Sequence, residues 1–503
     1  MRFPAPSRTL AVAALAVCAD LAFTAALAPA LRAAPTIQTV FYDMPADLLP
    51  AVMPTPTAQL ATVPGYPDDP ARLTFIARLY LPDPALHGPG PYPTVLFLHG
   101  SGGLWANSNT LPNAANLTVT NSPSAQFRDW GNLLVGLGCA CLFPDSLHPR
   151  GYSGSYEGRR PHHDPAEDDA LCSPNYERPK DVVAALEYLV TRADIDRERI
   201  ALIGFSHGAQ TGMNALLDAS VDLGAYTVDY TDLVEQPADS GNFVEQTIDL
   251  AVSSPVRIPA HLPIPKFCAF YYGGGGHFGY HGSPSSTAAG RYMLDRRTTA
   301  ILFHGTDDYL LDVTDQNATP RTGDLFPLKQ VLASAAQAAT LGLPNPIVRH
   351  YLLDRTAVHA ADARVEHSFD LGSVGFAAQA DWDTAAETPN QKARRLARDE
   401  VLRWLEFKLK PAPALSIAPA VSPGEVELTW PLNARLAHRL QSTEDLAVWP
   451  APEVGPLDPA LPFTTPLPPS GRLFFRLRYE PAPAPTTAPE NAGFFRTYAD
   501  FGL

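Results

Sequence analysis

Residues 200–208 read IALIGFSHG, an apolar run that ends in a serine between two glycines. Because its apolar residues are continuous rather than alternating, the run predicts a strand buried on both faces, as in a parallel sheet. A helix is predicted directly after it, from about His207 to Ala219. Gly204 and Gly208 would permit the strained turn that lifts a serine hydroxyl above the end of a sheet. The stretch therefore predicts a nucleophile elbow with Ser206 as the nucleophile.

The chain up to residue 410 alternates predicted strands with predicted helices. Apolar runs predict further strands at Thr94–Leu98, Cys139–Phe143 and Thr299–Phe303, and an alternating pattern predicts one at Leu73–Tyr80. Ile347–Leu352 is predicted to be another strand. Helical spacing of apolar residues predicts helices at Lys180–Arg192, Leu328–Thr340 and Gln391–Lys410. This alternation indicates an α/β fold, a mostly parallel sheet flanked by helices.

Composition divides the chain into five regions. Residues 1–34 have the layout of a secretory signal peptide, with arginines followed by an apolar run and small residues. Residues 36–410 are predicted to form the α/β catalytic domain, and 411–423 a proline-rich linker. Alternating apolar and polar residues predict a small all-β module over 424–480, and 481–503 have the composition of a Pro/Ala/Thr linker and tail. We therefore expect an exported protein, secreted or periplasmic.

Charge and cysteine content limit the classes of partner. The 503 residues include 37 Lys and Arg against 52 Asp and Glu, a net charge of −15. A surface this acidic argues against nucleic acid as a partner, because phosphate binding needs basic patches. No segment after the signal region approaches the ~20 apolar residues of a membrane helix, so no integral membrane segment is expected. Four cysteines outside the signal region fit no zinc spacing and are predicted to be buried thiols: Cys139, Cys141, Cys172 and Cys268.

A serine nucleophile needs a base, and the base needs an orienting carboxylate. The strand ending at Phe303 leads into carboxylates at the end of the predicted sheet, of which Asp308 is the favoured acid and Asp307 the rival. His367, in a polar loop after the Ile347–Leu352 strand, is the favoured base. The remaining late histidines are His350, within that strand, and His359.

An oxyanion hole needs two backbone N–H groups aimed at the developing charge. The residue after the nucleophile, His207, is predicted to provide one of them. The loop after the Thr94–Leu98 strand, HGSGG at residues 99–103, is predicted to provide the other, with the N–H of Ser101 favoured.

Residues 70–410 resemble the dienelactone-hydrolase-like branch of the α/β-hydrolases. Four stretches carry the resemblance: His99–Gly103, Pro144–Gly151, Gly204–Gly208 and His367–Asp370. The resemblance implies an α/β-hydrolase sheet and a catalytic triad of Ser206, Asp308 and His367. It also implies that Arg150 approaches the substrate, although an arginine paired with Asp145 or Asp164 is the alternative. The chain departs from dienelactone hydrolases in having serine rather than cysteine as the nucleophile.

Together these features predict an exported serine hydrolase that cleaves carboxylic esters or lactones through an acyl-enzyme. The alternatives are a peptidase of the same fold and a non-catalytic binding protein on a hydrolase scaffold. We expect a small-molecule ester as the partner, and no cofactor. No metal is expected either, because the His162–Asp164 cluster and the pair His277 and His281 lie in loops that do not fix ligand geometry. No feature of the sequence indicates an oligomeric state.

Overall fold

A computed structural model describes most of the chain between residues 36 and 410 and short segments beyond. The described residues are 36–50, 53–67, 69–106, 111, 123–152, 172–174, 176–235, 243–252, 255–271, 292–305, 336–344, 346–353, 370, 388–410, 416–419, 425–429, 436–443, 463–466, 474–481 and 495–496. The predicted signal peptide, 1–34, lies outside them, as do Asp307, Asp308, His359 and His367.

One large sheet organises the described residues. Its nine strands are β1 Thr36–Asp43, β2 Thr74–Leu81, β3 Tyr92–Leu98, β4 Ala140–Asp145, β5 Ile195–Phe205, β8 Phe267–Tyr271, β9 Thr299–Gly305, β10 Ile347–Leu353 and β16 Phe495–Arg496. They lie in the order β1-β2-β4-β3-β5-β8-β9-β10-β16. The six strands from β4 to β10 in this order are parallel to their neighbours, while β1, β2 and β16 are antiparallel.

The central strands are apolar throughout because both faces of the sheet are covered. In β3, Leu96 and Leu98 belong to one core cluster, and the alternate residues Val95 and Phe97 belong to the other. Side chains alternate between the two faces of a strand, so a strand covered on both sides needs apolar residues at every position. The continuous apolar runs of the sequence therefore predict the parallel sheet correctly.

Helices cover the two faces. They are α1 Pro84–His87, α2 Ala125–Gly136, α3 Pro179–Val190, α4 His207–Ala215 and α5 Pro389–Leu409. Residues of α3 and α4 belong to the core cluster on the Leu96 face, and residues of α2 and α5 to the cluster on the Phe97 face. Helix α5 begins with a capping box between Thr388 and Gln391. Short 3₁₀ turns lie at Ala46–Leu48, Leu60–Thr62 and His148–Arg150, and residues 336–340 of the predicted Leu328–Thr340 helix are helical.

Several elements lie beyond the sequence predictions. An antiparallel hairpin, β6 Tyr226–Glu235 and β7 Phe243–Val252, separates α4 from β8 along the chain. The apolar run of β8 is a central strand between β5 and β9. All four cysteines outside the signal region are buried free thiols, which confirms that prediction.

The C-terminal region contains two small antiparallel sheets among its described residues. One comprises β11 Ser416–Pro419, β12 Glu425–Thr429 and β14 Phe463–Pro466, and the other β13 Leu436–Thr443 and β15 Phe474–Pro481. Strand β11 lies within the predicted linker, and β16 lies within the predicted tail, where it pairs with β10. Helix α5 also contacts β13 and β15. The separate β module over 424–480 stays a prediction.

Candidate active site

Ser206 occupies a strained turn between β5 and α4. Its backbone angles are φ 50° and ψ −120°, and it is the single non-glycine residue with positive φ among the described residues. Its N–H donates to the carbonyl of Tyr271 at 2.9 Å, and its own carbonyl accepts from the N–H of Ala209 at 2.8 Å. Such a conformation is unfavourable for an L-residue and persists only where the surroundings hold it. The partly exposed Ser206 thus has the backbone of a nucleophile elbow.

Two glycines make this turn possible because there is no room for a side chain at either position. A Cβ on Gly204 would lie 2.7 Å from the carbonyl oxygen of Gly208. A Cβ on Gly208 would lie 2.3 Å from the carbonyl oxygen of Leu98 and 2.5 Å from that of His99. Helix α4 therefore begins in direct backbone contact with the end of β3, as the Gly-x-Ser-x-Gly pattern requires.

The glycine-rich loop after β3 lies against the nucleophile. A Cβ on Gly100 would be 3.3 Å from the Cβ of Ser206 and 3.3 Å from the carbonyl oxygen of Phe205. The loop turns back on itself through a 3.2 Å hydrogen bond from the N–H of Gly103, which has φ +79°, to the carbonyl of Gly100. The structure thus brings the loop containing Ser101 next to Ser206.

His99 is buried at the base of this loop and is held neutral. Its Nε2 accepts the N–H of Ser146 at 3.0 Å, so its Nδ1 must carry the proton and donate to the carbonyl of Gly100 at 2.7 Å. Burial, together with the charge of Arg178, lowers the pKa of His99 to about 3. The ring therefore acts as a fixed donor and acceptor rather than as a titrating base.

Arg178 is fully buried at the start of α3 and reaches the ends of three neighbouring strands. Its guanidinium donates to the Nδ1 of His207, to the carbonyl of His99 at 3.0 Å and to the Oγ of Ser146 at 3.3 Å. Because arginine cannot accept a hydrogen bond, the Nδ1 of His207 is unprotonated. Burial and the charge of Arg178 lower the pKa of His207 well below its ordinary value. Sequence reasoning missed Arg178, and no local motif identifies it.

A histidine–carboxylate pair lies at the end of β4. Asp145 contacts the Nδ1 of His148 at 2.7 Å and accepts the indole N–H of Trp105 at 2.6 Å. Although burial alone would raise it, the pKa of Asp145 is held below its ordinary value by His148 and by the hydrogen bond from Trp105. Asp145 also accepts the N–H of Leu147 at 2.9 Å. These contacts give it a structural role at the end of β4.

Arg150 is buried and bound to a carboxylate. It donates to both oxygens of Asp181, at 2.5 and 3.1 Å, and to the carbonyl of Ser146 at 2.9 Å. The carboxylate that pairs with Arg150 is therefore that of Asp181. It is not that of Asp145, which is one of the two partners that the sequence suggests. With 1% of its surface exposed, Arg150 contributes packing and an ion pair in this structure; contact with a substrate stays a prediction.

Asp370, three residues after the predicted base, is anchored in the interior. Its Oδ2 accepts from the Nε2 of Gln126 at 3.0 Å and from the indole of Trp130 at 3.2 Å, both on α2. Arg394 on α5 lies 3.8 Å from its Oδ1. Burial, opposed by Arg394, raises the pKa of Asp370 to about 6. The end of the predicted His367 loop is thereby fixed between α2 and α5.

The structure brings some of the predicted site residues together. Ser206, His207 and the loop of Ser101 converge at the ends of β3 and β5. Asp308 and His367 lie outside the described residues, so the triad stays a prediction. His350 lies within β10, opposite Leu302 of β9.

Within the described residues, no cluster of three or more His, Cys, Asp or Glu side chains could hold a metal ion. The histidines at 162, 163, 277 and 281 are outside those residues. No helix in the described part of the chain has the length and apolar character needed to cross a bilayer.

The strand order and the elbow define the fold class. A mostly parallel sheet ordered 1-2-4-3-5-8-9-10, with a strained serine between a central strand and the following helix, is the α/β-hydrolase fold. The chain has this fold.

Comparison with known proteins gives likenesses among solved structures. The sequence matches no protein-family model and no curated protein. The chain is similar to a dienelactone hydrolase-like promiscuous phosphotriesterase from metagenomic libraries, with 14% identity, 75% of this chain and 100% of that chain covered, and a TM-score of 0.36. It is similar to a thermophilic esterase from Thermogutta terrifontis, with 13% identity, 67% and 92% coverage, and a TM-score of 0.33. An acylaminoacyl peptidase from Pyrococcus horikoshii has 12% identity, 75% and 42% coverage, and a TM-score of 0.35.

Proposed function

We propose that this protein is an exported serine hydrolase that cleaves carboxylic esters or lactones through an acyl-enzyme. The observation that carries the proposal is the strained backbone of Ser206 beside the glycine-rich loop, where a Cβ added to Gly100 would lie 3.3 Å from the Cβ of Ser206. An α/β-hydrolase places its nucleophile and oxyanion donors in this arrangement.

The proposed reaction uses residues in four roles. The Oγ of Ser206 attacks the acyl carbonyl while His367 takes its proton, and the backbone N–H groups of His207 and Ser101 stabilise the oxyanion. Collapse of the tetrahedral intermediate expels the alcohol, which takes the proton from His367. Water then attacks the acyl-enzyme with His367 as base, which releases the acid and restores Ser206. Asp308 orients His367 and stabilises its cationic form.

The test is a comparison of two serine-to-alanine variants. Ser206→Ala should lower ester hydrolysis by at least three orders of magnitude and abolish labelling by a fluorophosphonate probe, with an unchanged circular dichroism spectrum. Ser220→Ala is the matched control, because Ser220 lies in an exposed turn where its Oγ accepts a hydrogen bond from Arg296. The control should retain the wild-type rate.

Three results would redirect the proposal. If Ser206→Ala keeps a tenth of the wild-type activity, Ser206 is not the nucleophile. Faster cleavage of peptide amides than of short esters would favour the peptidase alternative. An unlabelled wild-type protein with no turnover of either substrate class would favour a binding protein on a hydrolase scaffold.

A further inference from the structure

The buried guanidinium of Arg178 contacts both segments that carry the proposed oxyanion donors, His207 and the glycine-rich loop. Arg178 is wholly inaccessible to solvent, and among the described residues no carboxylate lies within ion-pair distance of it. Its hydrogen bonds go instead to a histidine ring, a backbone carbonyl and a hydroxyl. Burying a charge without a direct counterion is costly. Such a group is more typical of a functional site than of a stabilising core.

One arm of the guanidinium holds the donor next to the nucleophile. Arg178 donates to the imidazole of His207, the residue whose N–H is the first proposed oxyanion donor. The ring packs in the interior with 3% of the residue exposed. The contact therefore ties the first residue of α4 to the start of α3.

The other arm holds the glycine-rich loop. Arg178 donates to the carbonyl of His99, and the Nδ1–H of His99 donates to the carbonyl of Gly100. In a trans peptide the C=O and the following N–H point in opposite directions. Fixing the carbonyl of Gly100 on the side of His99 therefore directs the N–H of Ser101 to the opposite side, away from the buried ring.

We infer that Arg178 is a positioning residue. It holds the two oxyanion donors, the N–H groups of His207 and Ser101, in the relative positions that let both bind one oxyanion. The inference rests on the proposed function, since it assigns a role within the same reaction. The planar fork of arginine presents several N–H groups at fixed angles, so one side chain can reach both partners. A lysine ammonium would keep the charge, but it could not hold the imidazole of His207 and the carbonyl of His99 in the same geometry.

The test is Arg178→Lys, measured with an ester substrate and with two inhibitors. A trifluoromethyl ketone adds to a reactive serine and places its oxyanion in the hole, whereas the matching secondary alcohol binds without forming an oxyanion. We expect kcat to fall by about 10- to 100-fold with KM within threefold, because loss of a whole oxyanion donor costs about 10²–10³. The affinity for the ketone should fall by the same factor as kcat, and the affinity for the alcohol should not change.

The matched control is Arg403→Lys on α5, another buried arginine. Its guanidinium is bound to Glu400, and the residue belongs to no part of the proposed site. It should leave kcat and both inhibitor affinities unchanged even if the melting temperature falls. A merely structural role for Arg178 predicts the same pattern for Arg178→Lys, and that result would overturn the inference.

A second variant covers failure of Arg178→Lys to fold. His207→Ala removes the ring that Arg178 holds but keeps the backbone N–H at position 207. It should weaken ketone binding by about tenfold, in line with partial loss of one donor, with alcohol binding unchanged. Wild-type affinity for the ketone in this variant would refute the inference. A wild-type protein that binds the ketone no more tightly than the alcohol would instead refute the proposed function.

Discussion

Gly208→Ala should damage both the fold and the reaction, because backbone surrounds this position. The added methyl group would lie 2.3 Å from the carbonyl oxygen of Leu98 and 2.5 Å from that of His99. Unstrained carbon–oxygen contacts need about 3.3 Å, so the start of α4 and the end of β3 must separate by about 1 Å. Neither oxygen belongs to a flexible side chain that could move aside. We expect destabilisation at the upper end of the overpacking range, about 3 kcal/mol.

The same separation would pull the two proposed oxyanion donors apart. The loop with Ser101 follows β3, while His207 opens α4, so a shift of about 1 Å should lower kcat by about 10²-fold. Urea denaturation followed by circular dichroism would give the free energy of unfolding, and ester turnover at a temperature where the variant is folded would give the rate.

Gly102→Ala provides the matched comparison for stability. A Cβ at Gly102 meets no heavy atom of the described residues within 4 Å, and its φ is not in the left-handed region. Its free energy of unfolding should lie within about 0.5 kcal/mol of wild type. Equal stabilities for the Gly208 and Gly102 variants, or a Gly208 variant with the wild-type rate, would refute the steric argument.

Three further predictions concern the acid, the buried carboxylate and the C-terminal region. Asp308→Asn should lower kcat far more than Asp307→Asn, because only one carboxylate of this loop can contact the histidine. Equal losses of kcat would assign the role of the acid to Asp307. Burial raises the pKa of Asp370 to about 6, so the native state keeps a proton that the unfolded state releases above about pH 4. Between pH 4 and 6 the unfolding free energy of wild type should therefore fall by about 3 kcal/mol relative to Asp370→Asn, and a pH-independent difference in urea titrations would contradict this. A chain of residues 35–410 should lose stability, because it uncovers the edge of β10 that pairs with β16 and the helix surface that contacts β13 and β15; an unchanged melting temperature would show that this region is independent.

The sequence predicts the fold well where the signal is local. Continuous apolar runs identify β3, β4, β9 and the second half of β5 because a strand buried on both faces needs apolar residues at every position. Strand β8 has the same signal in Phe267–Tyr271, but its five residues lie between proline-rich and glycine-rich segments that predict loops. The two-residue β16 has no periodicity to detect, so its pairing with β10 depends on contacts that a sequence does not show.

The candidate site likewise contains residues that a local motif predicts and residues that only long-range contacts define. Ser206 and the glycine-rich loop follow from motifs because both need particular backbone conformations, and those conformations select glycine. Arg178 is invisible to motif reasoning because its partners, His99 and His207, come from strand ends far away in the sequence. The same is true of Asp181, which replaces Asp145 as the partner of Arg150.

The first turn of α3 joins these long-range contacts into one structural unit. Arg178 and Asp181 are three residues apart, so they lie on the same side of the helix. Arg178 binds residues that follow β3, β4 and β5, and Asp181 holds Arg150, which also binds the carbonyl of Ser146 after β4. The remaining turns of α3 are fixed in the core through Val182, Leu186 and Leu189. A rigid helix thus sets the distance between the strand ends where the proposed donors lie.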